Sequence, residues 1–232
     1  MIKNLIFGKP LVLTPPFPPG KMLEIGCGNG SFMQSMAVKG WQVQGIESST
    51  KAGEAVKELG YPIHIGPLES APNLKEPVDL IVGWQVLEHL HHPLQALQKM
   101  RGWLKPGGYL ALSMPNTASF EFNLFKRRWY ALHLPNHLYH FDTETVEKIL
   151  KASGWKMEKV IHERNIGNLV GSSGYFLQDY LGPTNRLANY IAKFPGRDSR
   201  LKYFLAPIER IFAYLGQTGR MIIWAKRLED ST

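Results

Sequence analysis

The amino-acid sequence predicts an α/β fold in which a parallel sheet is wound on both faces, and three observations carry that expectation. Strand-like and helix-like apolar periodicities alternate from residue 21 to residue 115. A glycine turn, Gly26, Gly28 and Gly30, separates the first apolar strand from the first helix. Glu24, Glu47 and Trp84 fall at or near the carboxyl ends of strands, the edge where such sheets bind ligands.

Strands are expected near Lys21–Ile25, Trp41–Glu47, Tyr61–Ile65, Val78–Gly83 and Tyr109–Met114, with helices near Asn29–Lys39, Ser48–Leu59 and Pro93–Leu104. After Asn116 the pattern changes to a loop rich in aromatics and histidines. A helix over Thr143–Ala152 then starts after Asp142 and stops before Gly154, and a strand follows near Trp155–Glu163. Some fifty residues of helical pattern precede a last strand near Arg220–Lys226. In that stretch Leu201, Phe204, Leu205, Ile208, Ile211, Phe212 and Leu215 recur at helical spacing, and Pro207 is expected to kink the helix.

The chain of 232 residues is 44% hydrophobic and 20% charged, which places it among folded globules and excludes wholesale disorder. No apolar run reaches the ~20 residues of a membrane span. The start contains Pro15-Pro16-Phe17-Pro18-Pro19 and reads as an extended arm over residues 1–20, not a signal peptide. The single cysteine, Cys27, permits no internal disulfide and fits a cytoplasmic setting. Residues 1–115 hold ten Lys/Arg against eight Asp/Glu, whereas residues 116–232 hold seventeen against eleven, so the basic excess lies in the C-terminal half. Such a face suits anionic lipid, nucleic acid or an acidic small molecule, or is simply a soluble surface.

The chemistry concentrates in Leu23-Glu24-Ile25-Gly26-Cys27-Gly28-Asn29-Gly30-Ser31. Glycine lets the backbone approach a ligand closely because it has no Cβ, and an acid at the next strand end can accept from both hydroxyls of a ribose. A dinucleotide fingerprint would need glycine where Ser31 stands. The acid-x-Gly-x-Gly-x-Gly form instead resembles motif I of the class I S-adenosylmethionine (SAM) methyltransferases. Val78–Leu90 is similar to their fourth-strand motif, and Leu104-Lys105-Pro106-Gly107-Gly108 to their turn before the fifth strand. Leu112–Asn116 and Pro135–Phe141 resemble the subgroup that includes ubiquinone-pathway O-methyltransferases and sugar and natural-product methyltransferases. The resemblance covers roughly residues 21 to 165, with a weaker echo over 215–227.

It implies a Rossmann-like seven-stranded sheet, mostly parallel with an antiparallel last strand, in a single domain spanning residues 1–232 with a helical, lid-like insertion over 168–216. It implies SAM as cofactor, with Glu24, Gly26, Gly28 and Gly30 at its methionine end and Glu47 at its ribose. Cys27 and Ser48 adjoin these contacts, Leu68 and Glu69 border the adenine, and Trp84 and Gln85 lie beside the cofactor at the end of strand four. Two departures are informative. Gly66-Pro67-Leu68 lacks the carboxylate that many relatives offer to the adenine amino group. Gln85 stands where ubiquinone-pathway relatives have an acid that can share a metal with residues aligned to Glu88 and His89; an amide removes a hard anionic ligand, so no metal is expected.

Methyl transfer to a hydroxyl needs alignment and removal of a proton, a task for histidine near neutral pH. Of eight histidines, His64 and His162 lie in expected strands, His89 follows the strand-four motif, and His91 and His92 precede Pro93 at a helix start. His137, then His140, are the candidate bases, because their loop follows strand five and matches the family's substrate-facing segment. The insertion's aromatics, Tyr175, Phe176, Tyr180, Tyr190, Phe194, Tyr203, Phe204 and Phe212, would either cover an acceptor beside Arg186, Lys193, Arg197, Arg200 and Lys202, or form the insertion's own core. Nucleic acid is disfavoured as substrate, since Gly83-Trp84-Gln85-Val86 lacks the acid or Asn before Pro-Pro-aromatic of amino-methylating enzymes. The expected activity is methylation, at oxygen, of a small-molecule or lipid-linked acceptor, with peripheral membrane contact compatible with it. An NAD-type oxidoreductase and a non-catalytic SAM-fold binding protein remain the alternatives.

Overall fold

A computed structural model describes residues 15, 17–196 and 201–228 of the chain. Among them seven strands form one sheet in the order β3-β2-β1-β4-β5-β7-β6. They are β1 (Lys21–Ile25), β2 (Gln42–Glu47), β3 (Ile63–Ile65), β4 (Val78–Trp84), β5 (Leu104–Pro115), β6 (Trp155–His162) and β7 (Arg220–Arg227). β1 pairs in parallel with β2 and β4, β2 with β3, and β4 with β5. β7 runs the other way: Asn116 and Glu163, just past β5 and β6, donate their N–H groups to Gly219 and Arg220 at its start, while Leu228 at its end donates to Gly154 ahead of β6. The expected sheet, with its antiparallel last strand, is therefore the one observed.

The contacts group the chain into two compact units. One contains Pro15–Met114, Glu144–Val160 and the segment from Ile223. Its helices are α1 (Ser31–Ala37), α2 (Thr50–Glu58), α3 (Pro93–Trp103) and α5 (Thr143–Ala152). Met22, Leu80, Ile81, Leu97, Met100, Leu110 and Trp155 fill its core, and burial of such side chains contributes roughly 1.5–3 kcal/mol each. Trp155 donates its ring N–H to the Leu97 carbonyl at 3.2 Å, fastening β6 to α3.

The other contains Pro115–Thr143 and Ile161–Ile222. It carries α4 (Phe120–Phe125), α6 (Ile166–Leu181), α7 (Arg186–Ala192) and α8 (Leu201–Tyr214, with Pro207 inside it). α6 and α7 pack backbone to backbone, since a Cβ on Gly174 would lie 2.1 Å from the Ala192 nitrogen. The acid Glu209 of α8 accepts the Ile166 N–H at 2.6 Å and so closes the start of α6.

The Thr143–Ala152 helix has the expected bounds, whereas other elements differ for visible reasons. The first helix starts at Ser31, not Asn29, because Gly30 takes a φ of 76° and completes the turn. β5 begins at Leu104, ahead of the expected Tyr109, because Leu104 pairs with Val78 across a register shift that absorbs the glycines. The aromatic segment after Asn116 holds helix α4, where a plain loop was expected; Ser119 caps it by accepting the Phe122 N–H at 3.1 Å. Most of the expected arm, residues 1–14 and 16, lies outside the described residues, as do Arg197, Arg200 and the side chains of Lys202, Tyr203 and Phe204.

Candidate active site

The turn between β1 and α1 is built from three residues with left-handed backbones, Gly26 (φ 66°), Gly28 (φ 54°) and Gly30 (φ 76°). Each glycine answers a different demand. A Cβ on Gly26 would meet Val86 Cγ2 at 2.8 Å, and one on Gly30 would meet Val56 Cγ2 at 3.0 Å, whereas one on Gly28 would point into open space. Gly28 is thus the position in this turn where nothing packs against the backbone.

Glu47, at the end of β2, ties this turn to its own strand. Its carboxylate accepts the Gly28 N–H at 2.7 Å and the Ser49 N–H at 2.8 Å while 8% of the residue remains exposed. The Ser48 hydroxyl adds a longer bond to Oε1 at 3.5 Å, so the protein bonds orient the group and leave Oε2 with a second lone pair. Glu24 behaves differently. It is 2% exposed, and its Oε2 has no hydrogen-bond partner among the described residues. Burial pushes its carboxyl up to about 8; the Met33 backbone N–H opposes that rise, and the neighbouring Glu47 charge adds to it.

A pocket of about 520 Å³ lies at this edge of the sheet, lined by Gly26, Glu47, Ser48, Leu68, Glu69 and Gln85 among others. That volume suits a ligand of nucleoside-cofactor size. Six of the sequence-selected cofactor residues therefore share one cavity wall. Gly28 and Gly30 shape the turn beneath it. Glu24 sits in the strand behind that turn, and Cys27 turns its sulfur toward Gly45, where an added Cβ would come within 2.7 Å. Burial pushes the Cys27 thiol up to about 12, with Glu24 and Glu47 adding to the rise, so the side chain is packing material.

At the end of β4, Trp84 meets the Phe32 ring edge-on at 5.2 Å, and its ring nitrogen is buried without a partner among the described residues. Gln85 has a φ of 57°, a left-handed conformation rare for a side chain of its size. Ser113 on β5 holds it there, accepting the Gln85 backbone N–H at 3.1 Å and its amide NH₂ at 3.3 Å on one hydroxyl oxygen. Strain of this kind persists where the surroundings over-determine it and clusters at functional sites. Ser113, Val86, His89 and His91 were not selected from the sequence as site residues, yet Val86 and both histidines line the pocket. The signal was present in the segment Gln85-Val86-Leu87-Glu88-His89 but does not by itself say which side chains turn inward.

The candidate bases lie in the other unit. His137 is buried, with Nδ1 2.9 Å from the Ala131 carbonyl, which makes Nδ1 the donor of that bond. His140 has the opposite assignment, its Nε2 lying 3.1 Å from the Leu132 carbonyl. The two rings are 6.2 Å apart, and His133 packs edge-on against His137 at 5.0 Å.

Comparison with known proteins converges on one family. The family described as a methyltransferase domain matches residues 4–160. Over 107 residues the chain is 34% identical to a ubiquinone biosynthesis O-methyltransferase of Haemophilus ducreyi, covering 41% of this chain and 45% of that one. The chain spans about half the length of the curated relatives it matches. Among solved structures, an S-adenosylmethionine dependent methyltransferase from Mesorhizobium loti superposes with a TM-score of 0.61 at 16% identity, covering 93% of this chain and 94% of that one. A mycolic acid cyclopropane synthase, complexed with SAH and CTAB, gives a TM-score of 0.58 at 18% identity over 97% and 82% of the two chains. These structural likenesses establish the fold; the match over residues 4–160 establishes the lineage. The chain belongs to the methyltransferase domain family, whose methyl donor is SAM.

Proposed function

We propose that the protein transfers a methyl group from SAM to an oxygen of a small-molecule or lipid-linked acceptor in the cytoplasm. The observation that carries the reading is Gly28 facing open space while its N–H is held by Glu47 at the rim of a pocket of about 520 Å³. Glu47 would hold the ribose hydroxyls. Glu24, with an unpartnered buried oxygen, suits the cationic amino group at the methionine end, because a nearby positive charge would offset the burial that now keeps the carboxyl neutral. Leu68 offers an apolar contact for the base, and Glu69 a polar edge.

SAM supplies an activated methyl group whose leaving group needs no protonation. The chain's own residues then have two tasks, to align the acceptor and to take its proton. His137 is the proposed proton acceptor, through Nε2, because the Ala131 carbonyl fixes its tautomer. His140 stands second. A free hydroxyl on a lipid-linked ring and a simple phenol both meet these requirements, and the O-methyltransferase names among the relatives support oxygen as the attacked atom.

Equilibrium binding of SAM against NAD tests the cofactor, and single-turnover transfer of a labelled methyl group to a cell extract, with mass identification of the product, tests the activity. SAM binding with turnover is the expected result. Tight NAD binding without SAM binding overturns the assignment, and SAM binding with no transfer to any acceptor leaves a binding protein instead of an enzyme.

A further inference from the structure

The helical unit exposes apolar side chains that its own core does not use. Tyr175 stacks on Tyr130 at 5.8 Å and Phe194 is buried, so part of the aromatic set does serve that core. Tyr180 and Leu181 at the end of α6, and Leu187 and Tyr190 on α7, stay largely exposed, and Phe176 is 44% exposed while meeting Phe125 edge-on at 6.4 Å. Tyr180 is 74% exposed, Tyr190 61% and Leu187 59%. The hairpin that displays them is held firmly. Its two helices touch through Gly174 and Ala192, and Gln178 donates to Asn189 at 3.0 Å.

The charge around this surface has one sign. Asp179 is the sole charged residue of α6, and Arg128 engages both of its carboxylate oxygens. With that acid neutralised, Lys126 and Arg127 remain exposed beside the apolar side chains, and Arg186 and Lys193 flank the exposed residues of α7. A groove of about 620 Å³ brings Leu124, Lys126 and Arg127 to one wall with Phe176 and Tyr180. The three consecutive cations Lys126–Arg128 form a tight turn at the end of α4, and Leu124 ahead of them is 55% exposed.

We propose that this surface, the α6–α7 hairpin end with the Lys126–Arg128 turn, docks the protein on an anionic lipid bilayer. Amphipathic tyrosines with leucines enter the headgroup and upper acyl region, and the cations meet lipid phosphates; each half of that pattern is present here. An acidic protein partner would match the cations but leave the leucine and tyrosine tips facing polar surface. A second copy of this chain would set cation against cation. The bilayer satisfies both the apolar tips and the charge. The inference goes beyond methyl transfer and does not need it, since its test reads partitioning and not turnover.

The full chain is sedimented with vesicles of phosphatidylcholine alone and of phosphatidylcholine containing phosphatidylglycerol. Wild type is expected to partition onto the anionic vesicles and to be released by added salt. Arg127→Gln should lower that partitioning about fivefold, and Arg127→Glu further. Tyr180→Ser combined with Leu187→Ser should lower retention at every salt concentration, because it removes the apolar contribution. All three positions are exposed, and matching thermal melts establish that the variants fold. Failure of wild type to partition onto anionic vesicles overturns the proposal, as does equal partitioning of wild type and all variants. Self-association in gel filtration that Tyr180→Ser abolishes, without vesicle retention, would assign the face to a second copy instead.

Discussion

Glu47 and Glu121 are both buried carboxylates that accept two N–H donors, yet they reach that state by different routes. Glu47, in the strand unit, takes its donors from Gly28 and Ser49, nineteen and two residues away. Glu121, in the helical unit, takes one from the Trp129 ring and one from Gly219, ninety-eight residues away. A Cβ on Gly219 would lie 2.3 Å from Glu121 Oε2, so that contact exists only because position 219 is glycine. The first carboxylate is placed by a strand, a turn and a helix adjacent in sequence, and its Oε2 keeps a second lone pair. The second is placed by the closure of a whole unit and is spent on holding it together.

The largest effect expected from breaking this division of labour is on turnover. His137→Ala should lower the transfer rate by ~10²–10⁴-fold with SAM affinity unchanged, as general-base losses do. Full activity in both His137→Ala and His140→Ala would show that this loop supplies no base. On the strand side, Gly28→Val adds a β-branched side chain at a left-handed backbone and fills the open space, so SAM affinity should fall at least about 100-fold in equilibrium binding. Undiminished affinity would remove Gly28 from the site.

Glu121→Ala should cost stability instead of binding. It leaves two buried donors unpaired, at about 1–3 kcal/mol each, and denaturant melts read the loss while SAM affinity stays near wild type. A matching fall in SAM affinity would mean that the two carboxylates are not separate in role. Glu47→Ala removes a charged acceptor of two hydrogen bonds and should weaken SAM binding by about 1.5–3 kcal/mol; unchanged affinity would sink the ribose assignment.

The smallest readout is protonic. Burial raises the carboxyls of Glu24 and Glu121 in the folded state from 4.5 to about 8 and about 7. A raised carboxyl favours folding in its protonated form, so this contribution is fully present below pH 4.5. It is lost as the pH rises through about 7 for Glu121 and about 8 for Glu24. Thermal melts of the unliganded protein should therefore show falling stability across that window, and Glu24→Gln should flatten its upper part. If Glu24 faces the amino group of SAM, binding at pH 7 should also release up to about one proton, measurable by calorimetry in buffers of different ionisation enthalpy. Absence of release in wild type, or equal release in Glu24→Gln, argues against that contact.

What could be read in the sequence follows the same line. The parallel strands, the glycine turn and Glu47 at the second strand end were all visible, because backbone conformation and strand periodicity are set by residues a few positions apart. Thr143–Ala152 was readable to the residue for the same reason. The sequence did not reveal α4 inside the aromatic segment, since its six residues are too short to show a period and depend on the Ser119 cap. Nor did it say that Gln85 would be bent into a left-handed conformation by Ser113, or that His89 and His91 would line the pocket.

By itself, then, the sequence determined the order of the strands along the chain and the family. The tertiary structure alone decided which apolar side chains are buried. Leu187 and Ala188 are neighbours on one helix, but the first is 59% exposed and the second fully buried. Tertiary structure likewise decided which carboxylates are spent on packing, as Glu121 is, and which retain an unused oxygen, as Glu24 does. The reason is physical: a residue's backbone preference depends on its neighbours in the chain, whereas its burial and its hydrogen-bond partners depend on segments that only folding brings together.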